Sequence, residues 1–150
     1  MEFTITPDSD RKYNRAEFEQ ISAWISDRGF VARQALRDMQ SQGGLLIIEM
    51  YDGSELVGIG TAETGDIIKI LNVATKRQGY GWAMMREFAK CAVRADCLIE
   101  LMSSDDALGF YEKLGFEIEG FPGENLGVPC WWPWEQIEQF ASSAGCDDCF

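Results

Sequence analysis

The chain has 150 residues, 46% apolar and 12% aromatic, with 25 acidic against 13 basic side chains and a net charge of −12. That is enough apolar material for one domain with its own core. No apolar run approaches the ~20 residues of a membrane span, and the first residues do not read as a signal peptide. The acidity argues against nucleic acid and leans towards a cationic partner, and five scattered cysteines suit a reducing compartment, so a cytoplasmic location is expected.

In chain order, Phe3, Thr4, Ile5 and Thr6 alternate and predict a short strand that stops at Pro7. Asp8, Ser9 and Asp10 are helix-capping residues. From Ala16 the spacing of Phe18, Ile21 and Ile25, with Trp24 beside them, predicts an amphipathic helix broken at Gly29. A second helix carries Val31, Ala35, Leu36 and Met39 and ends at Gly43 and Gly44. Residues 45–51 and 56–62 read as strands joined by an Asp52-Gly53-Ser54 hairpin turn. Thr64, Gly65 and Asp66 then turn the chain into a further strand.

Residues 66–116 organise the rest. An apolar run at 67–73 leads to a basic, glycine-punctuated turn, Lys76-Arg77-Gln78-Gly79-Tyr80-Gly81, and to a helix from 82 to about 95. On that helix Met84, Phe88, Cys91 and Ala95 predict a buried stripe, with Arg86, Lys90 and Arg94 towards solvent. A strand at 97–102 follows, then a short helix capped by Ser104, with Asp105 and Asp106 in its first turn and Gly115 as its stop. The result is β–loop–α–β–α, with a positive loop at a helix N-terminus. Unpaired N–H groups and a partial positive charge there suit a phosphate-bearing ligand.

These residues resemble a known family. Lys76-Arg77-Gln78-Gly79-Tyr80-Gly81 is similar to the acetyl-CoA pyrophosphate loop of the GNAT superfamily of N-acetyltransferases, Arg/Gln-x-x-Gly-x-Gly/Ala. Phe110-Tyr111-Glu112-Lys113-Leu114-Gly115-Phe116 resembles the same family's later helix, ending Tyr-Glu-Lys-Leu-Gly-Phe. Here Lys76 stands where Arg or Gln is usual, and the loop is about two residues shorter than the common family form. The resemblance spans roughly residues 45 to 120. It implies an α/β (α+β) fold: a mixed, mostly antiparallel central sheet with a splayed central strand pair and helices on both faces.

The resemblance also implies roles. Asn72, Val73 and Thr75 would offer backbone groups to the pantetheine and thioester. Lys76, Arg77, Gln78, Gly79, Tyr80 and Gly81 would hold the pyrophosphate, and Ser104 would take the place of an Asn against the pantetheine. Tyr111 would protonate the departing thiolate, which a phenol neutral at ordinary pH can do. The chain has no histidine, so the base for the amine is a carboxylate or a water chain. Glu100, inside an apolar strand, is the leading candidate; Glu49 and Glu63 are weaker, because their strand patterns allow solvent-facing positions.

Beyond Phe116, residues 117–121 read as a strand and 122–127 as a loop. Residues 128–134 read as a last strand that two prolines demote to an edge or an irregular segment. Its tryptophans cover the core or line an apolar acceptor pocket. A helical spacing at 135–144 reads as an addition to the minimal fold, and Cys146 to Phe150 as a mobile tail. The expectation is a single domain over 1–150, with about 135–150 as an extension. It would transfer acetyl from acetyl-CoA to a primary amine: a protein N-terminus, a lysine, or a small cationic amine. No metal, nucleic acid or membrane is expected, and the chain is expected to be a monomer or homodimer. The alternative is a GNAT-fold protein without turnover that acts by binding a protein partner.

Overall fold

The computed structural model describes residues 1–9, 15–24, 45–77, 79–103, 107–119 and 127–143. Its elements are β1 (Glu2–Ser9), α1 (Arg15–Trp24), β2 (Leu45–Asp52), β3 (Glu55–Thr64), β4 (Ile67–Thr75) and α2 (Tyr80–Ala95). Then come β5 (Leu98–Ser103), α3 (Leu108–Lys113), β6 (Glu117–Ile118), β7 (Val128–Trp132) and α4 (Trp134–Ser142). The helix expected over 31–44, the loop at 120–126 and the Cys146 to Phe150 tail lie outside the described residues.

The strands form one seven-stranded sheet in the order β1-β2-β3-β4-β5-β7-β6. Every junction is antiparallel except β4–β5, which is parallel. The mixed, mostly antiparallel sheet expected from the sequence is therefore present. β1 continues past Pro7 to Ser9 with a register irregularity after Thr6, which an edge strand tolerates because one of its sides has no ladder to break.

The last strand departs from expectation. β7 is internal, between β5 and β6, rather than an edge. Pro129 is tolerated because it is the strand's second residue and contributes its carbonyl, which accepts the Glu119 N–H at 2.9 Å. Pro133 falls just outside the strand and caps α4, its carbonyl accepting the N–H groups of Gln136 and Ile137 at 3.0 Å each.

Period-two alternation divides the sheet's side chains between two cores. On the first face, Leu46, Ile48, Met50, Ile68, Ile70, Ile99 and Leu101 meet Met84, Met85 and Phe88 of α2 and Ile137 of α4. Each fully buried side chain of this size contributes about 1.5–3 kcal/mol over leaving it exposed. On the second face, Ile21 of α1 packs on Leu45, Ile47, Leu56, Ile59 and Ala74. The helix expected at 135–144 is α4, which lies against α2 with Ile137 fully buried. Glu49, expected at a solvent-facing position, is instead buried at 4% exposure. It follows Leu45 and Ile47 on the second face, and the Tyr51 hydroxyl donates to its Oε2 at 3.1 Å.

β4 carries the feature that shapes the molecule. It pairs with β5 only from Ile67 opposite Leu98 to Ile70 opposite Leu101. Beyond that point β4 runs on to Thr75 along β3 alone, and a wedge opens between β4 and β5. At the same place Thr61 faces Asn72 while Ala62 faces Ile70, leaving Leu71 as an extra residue. This bulge shifts the alternation by one: Ile68 and Ile70 face the first core, Leu71 and Ala74 the second, and Val73 the first again.

Candidate active site

The described residues on either side of Gln78 in the loop after β4 are held by hydrogen bonds of the chain itself. Lys76 N–H donates to Val57 O at 2.8 Å, continuing the β3–β4 ladder one step further. The Arg77 carbonyl accepts the Thr75 hydroxyl and the Tyr80 N–H, each at 3.3 Å. Gly79 caps α2 with φ of 93°, a left-handed conformation that a side chain would strain. No acidic residue stands in the first turn of α2 and no side chain caps it, so the positive end of the helix is not neutralised locally.

Lys76 is engaged elsewhere. Its Nζ binds Oε1 of Glu55 on β3, and that hydrogen bond, reinforced by the lysine charge, holds the Glu55 carboxyl below its usual range. Arg77 is exposed. Gly81 has a steric role: a Cβ there would stand 3.2 Å from Cζ of Phe110, so its missing side chain lets α3 close on α2. Gln78 and Ser104 lie outside the described residues. α3 is described from Leu108, with Ala107 as its cap.

α3 ends in a way that explains its sequence. Gly115 N–H donates to Glu112 O at 3.0 Å and Phe116 N–H to Tyr111 O at 3.1 Å, with Gly115 at φ of 92°. This is a Schellman closure, and its usual apolar contact is made by Phe116 against Tyr111, with ring centroids 5.4 Å apart. The Tyr-Glu-Lys-Leu-Gly-Phe string thus pins the backbone and the ring of Tyr111 together. Burial, with a smaller contribution from charge on Cys130, pushes the Tyr111 phenol up to about 12, so it remains a proton donor.

Six aromatic rings form a closed circuit around this residue. Trp82 contacts Phe110 at 5.9 Å, Phe110 contacts Tyr111 at 5.2 Å, and Phe116 stacks on Trp132 at 4.7 Å. Trp132 meets Phe140 at 5.2 Å, and Phe140 returns to Trp82 at 5.6 Å. Trp132 is fully buried, and its Nε1 donates to Leu114 O at 2.9 Å. It covers the core rather than lining an acceptor pocket.

A cleft of about 820 Å³ lies where these parts meet, lined by Val73 and Thr75 of β4, Gly79, Gly81 and Trp82, and Ala107, Gly109, Phe110, Tyr111 and Lys113. It brings together Val73, Thr75, Gly79, Gly81 and Tyr111 from the sequence-predicted set. Asn72 is opposite Thr61 at the bulge, and Tyr80 opens α2. Glu100 is partly buried in β5, on the face away from Ile99 and Leu101, and does not line this cleft. Lys113 and Trp82 escaped sequence reasoning. The i, i+4 spacing of Gly109 and Lys113 on one helix was the available signal for the first. The thiols of Cys91, Cys97 and Cys130 are all raised, chiefly by burial, so none of them is a ready nucleophile.

A family model described as an acetyltransferase (GNAT) domain matches residues 10–131. The chain belongs to the GNAT acetyltransferase family. Solved GNAT relatives share the fold at low identity. The PaiA N-acetyltransferase of Thermoplasma acidophilum, in complex with coenzyme A, is 15% identical, with a TM-score of 0.57 over 88% of this chain and 99% of that one. A Bacillus subtilis acetyltransferase in complex with CoA is 15% identical, with a TM-score of 0.60 over 87% and 98%. An aminoglycoside 6'-acetyltransferase type Ii is 21% identical, with a TM-score of 0.59 over 85% and 94%. Among curated proteins none matches the sequence. The cleft adjoins an uncapped helix N-terminus with no acidic residue in its first turn, an arrangement that favours an anionic group.

Proposed function

We propose that this acetyltransferase, as a single domain, moves an acetyl group from acetyl-CoA to a primary amine by direct attack. The acceptor would be a protein N-terminus, a lysine or a small cationic amine. The observation that carries this is the cleft itself, which joins the uncapped N-terminus of α2 to Tyr111 beside the open wedge of β4. When bound, acetyl-CoA supplies an activated acyl carbon. The α2 N–H groups and the loop 76–81 receive the pyrophosphate, with Lys76 exchanging Glu55 for phosphate and Arg77 adding charge at the rim. The backbone of Asn72 and Val73, past the end of the β5 ladder, orients the acyl group. Gln78 and Ser104 enter by their place in the motifs alone.

Tyr111 gives its phenolic proton to sulfur as the C–S bond breaks. Glu100 is assigned to the acceptor side, where it takes the ammonium proton through water from the face opposite Tyr111. The buried, protonated thiols support direct attack over an acyl-cysteine route. The test is Gly79→Asp, which adds strain at a positive φ and negative charge at the phosphate position. Calorimetry should show acetyl-CoA affinity reduced at least about tenfold, a difference of about 1.4 kcal/mol. Unchanged affinity in a folded variant would remove the loop from the site. Turnover of acetyl-CoA across a panel of amines then separates an enzyme from a binding protein.

A further inference from the structure

On the second face of the sheet, the register of four adjacent strands sets Lys69, Glu100, Trp131 and Glu117 in one row. The next row on that face holds Met102 and Pro129, with Glu119 tied to the Pro129 carbonyl. α1 covers this face over β2, β3 and the later part of β4, and no described helix covers it over β5, β7 and β6. Leu98 and Met102, on either side of Glu100 along β5, are 39% and 48% exposed. Among the described residues none of the three carboxylates is in an ion pair, and the buried Trp131 Nε1 has no hydrogen-bond partner.

We propose that this face docks a basic polypeptide segment of the acceptor, with a lysine or arginine over Trp131 beside Glu117, which leaves Glu100 free. Three carboxylates against one lysine favour a cation, and the indole adds an attraction that works best for a cation held near a ring. Leu98 and Met102 offer apolar surface to the long alkyl stem of such a side chain. A second copy of this chain, docked isologously, would bring the same carboxylates against each other in a protein already at −12. A small amine prefers a concave pocket, and no described element walls this sheet face in. The row ends one residue before Ile70 and Leu101, where β4 and β5 part, so the next side chain of a docked segment can reach the wedge. Only the word acceptor rests on the acetyltransferase reading.

The test measures binding without turnover, using a fluorescent Gly-Lys repeat peptide and anisotropy at low salt. Glu117→Lys with Glu119→Lys should weaken binding about tenfold or more, Trp131→Leu several-fold, and salt should weaken the wild type. Glu135→Lys with Glu138→Lys on α4 makes the same charge change elsewhere and should cost less than about twofold. If the reversal misfolds, Glu117→Gln with Glu119→Gln should give a smaller loss in the same direction. Equal loss in the α4 control would reduce the effect to overall charge and overturn the site. No binding by the wild type, equal use of the face by spermine, or a wild-type dimer dispersed by the β6 reversal would each overturn it as well. Acetyl-CoA titration of the same variants reports separately on the CoA cleft, so failure of the docking face and failure of the acetyltransferase reading remain distinguishable.

Discussion

Tyr111 has its carbonyl in a helix stop, its ring between Phe110 and Phe116, and a phenol pushed to about 12. Tyr111→Phe keeps the packing and deletes only the phenolic hydroxyl. Where proton donation limits the rate, kcat should fall by about 10²–10⁴-fold with little change in the Michaelis constant for acetyl-CoA. Single-turnover kinetics on a fast acceptor checks this, and a full rate in the variant would leave Tyr111 a packing residue. The pH dependence has a definite sign. The unfolded phenol titrates near 10 and the folded one near 12, so the contribution to stability is complete below about pH 10 and is lost as pH rises through the folded value. The alkaline limb of the rate profile should therefore show no Tyr111 ionisation near 10. At this scale the sequence was a partial guide. Tyr111 was legible from its motif, but the Lys76–Glu55 pair was not, because Glu55 lies across a strand junction that no local spacing reveals. Glu49 was misjudged for a related reason: its exposure depends on what the rest of the chain packs over β2, not on the pattern of β2 itself.

Among the elements, the α3 stop and the β4 bulge do different jobs. The stop depends on Gly115, whose φ of 92° disfavours a side chain and whose Cβ would meet Gln136 Oε1 of α4 at 2.7 Å. Gly115→Ala should destabilise the protein by about 1–3 kcal/mol, read as a lowered denaturant midpoint. Because the same turn positions Tyr111, kcat should fall at temperatures where the variant is fully folded. An unchanged midpoint would mean that the chain relaxes around the new methyl group at no cost. The stop was readable as a sequence string; the bulge was not. Leu71 looks like any other member of an apolar run, and only pairing with β3 makes it the extra residue that returns Val73 to the first face. The position of β7 escaped in the same way. Prolines argue for an edge, yet β6 pairs outside it because the chain doubles back after α3.

Across the whole molecule, the stretch from 66 to 116 was the legible part. Its motifs are local, and their order along the chain encodes the β–α–β–α path. What stayed hidden were relations between distant segments: the row from Lys69 to Glu117, and the ring circuit that joins α2 to α4 through β7. That circuit has an optical consequence. Trp82 is the one member that is both an indole and a wall of the cleft, whereas Trp132 is sealed from solvent. A ligand entering the cleft alters the surroundings of the first emitter and leaves the second untouched. Intrinsic fluorescence on titration with CoA should therefore change in a component that acrylamide reaches before ligand and not after. Trp82→Phe should abolish that change while Trp132→Phe preserves it, giving the protein a built-in optical gauge of its own occupancy.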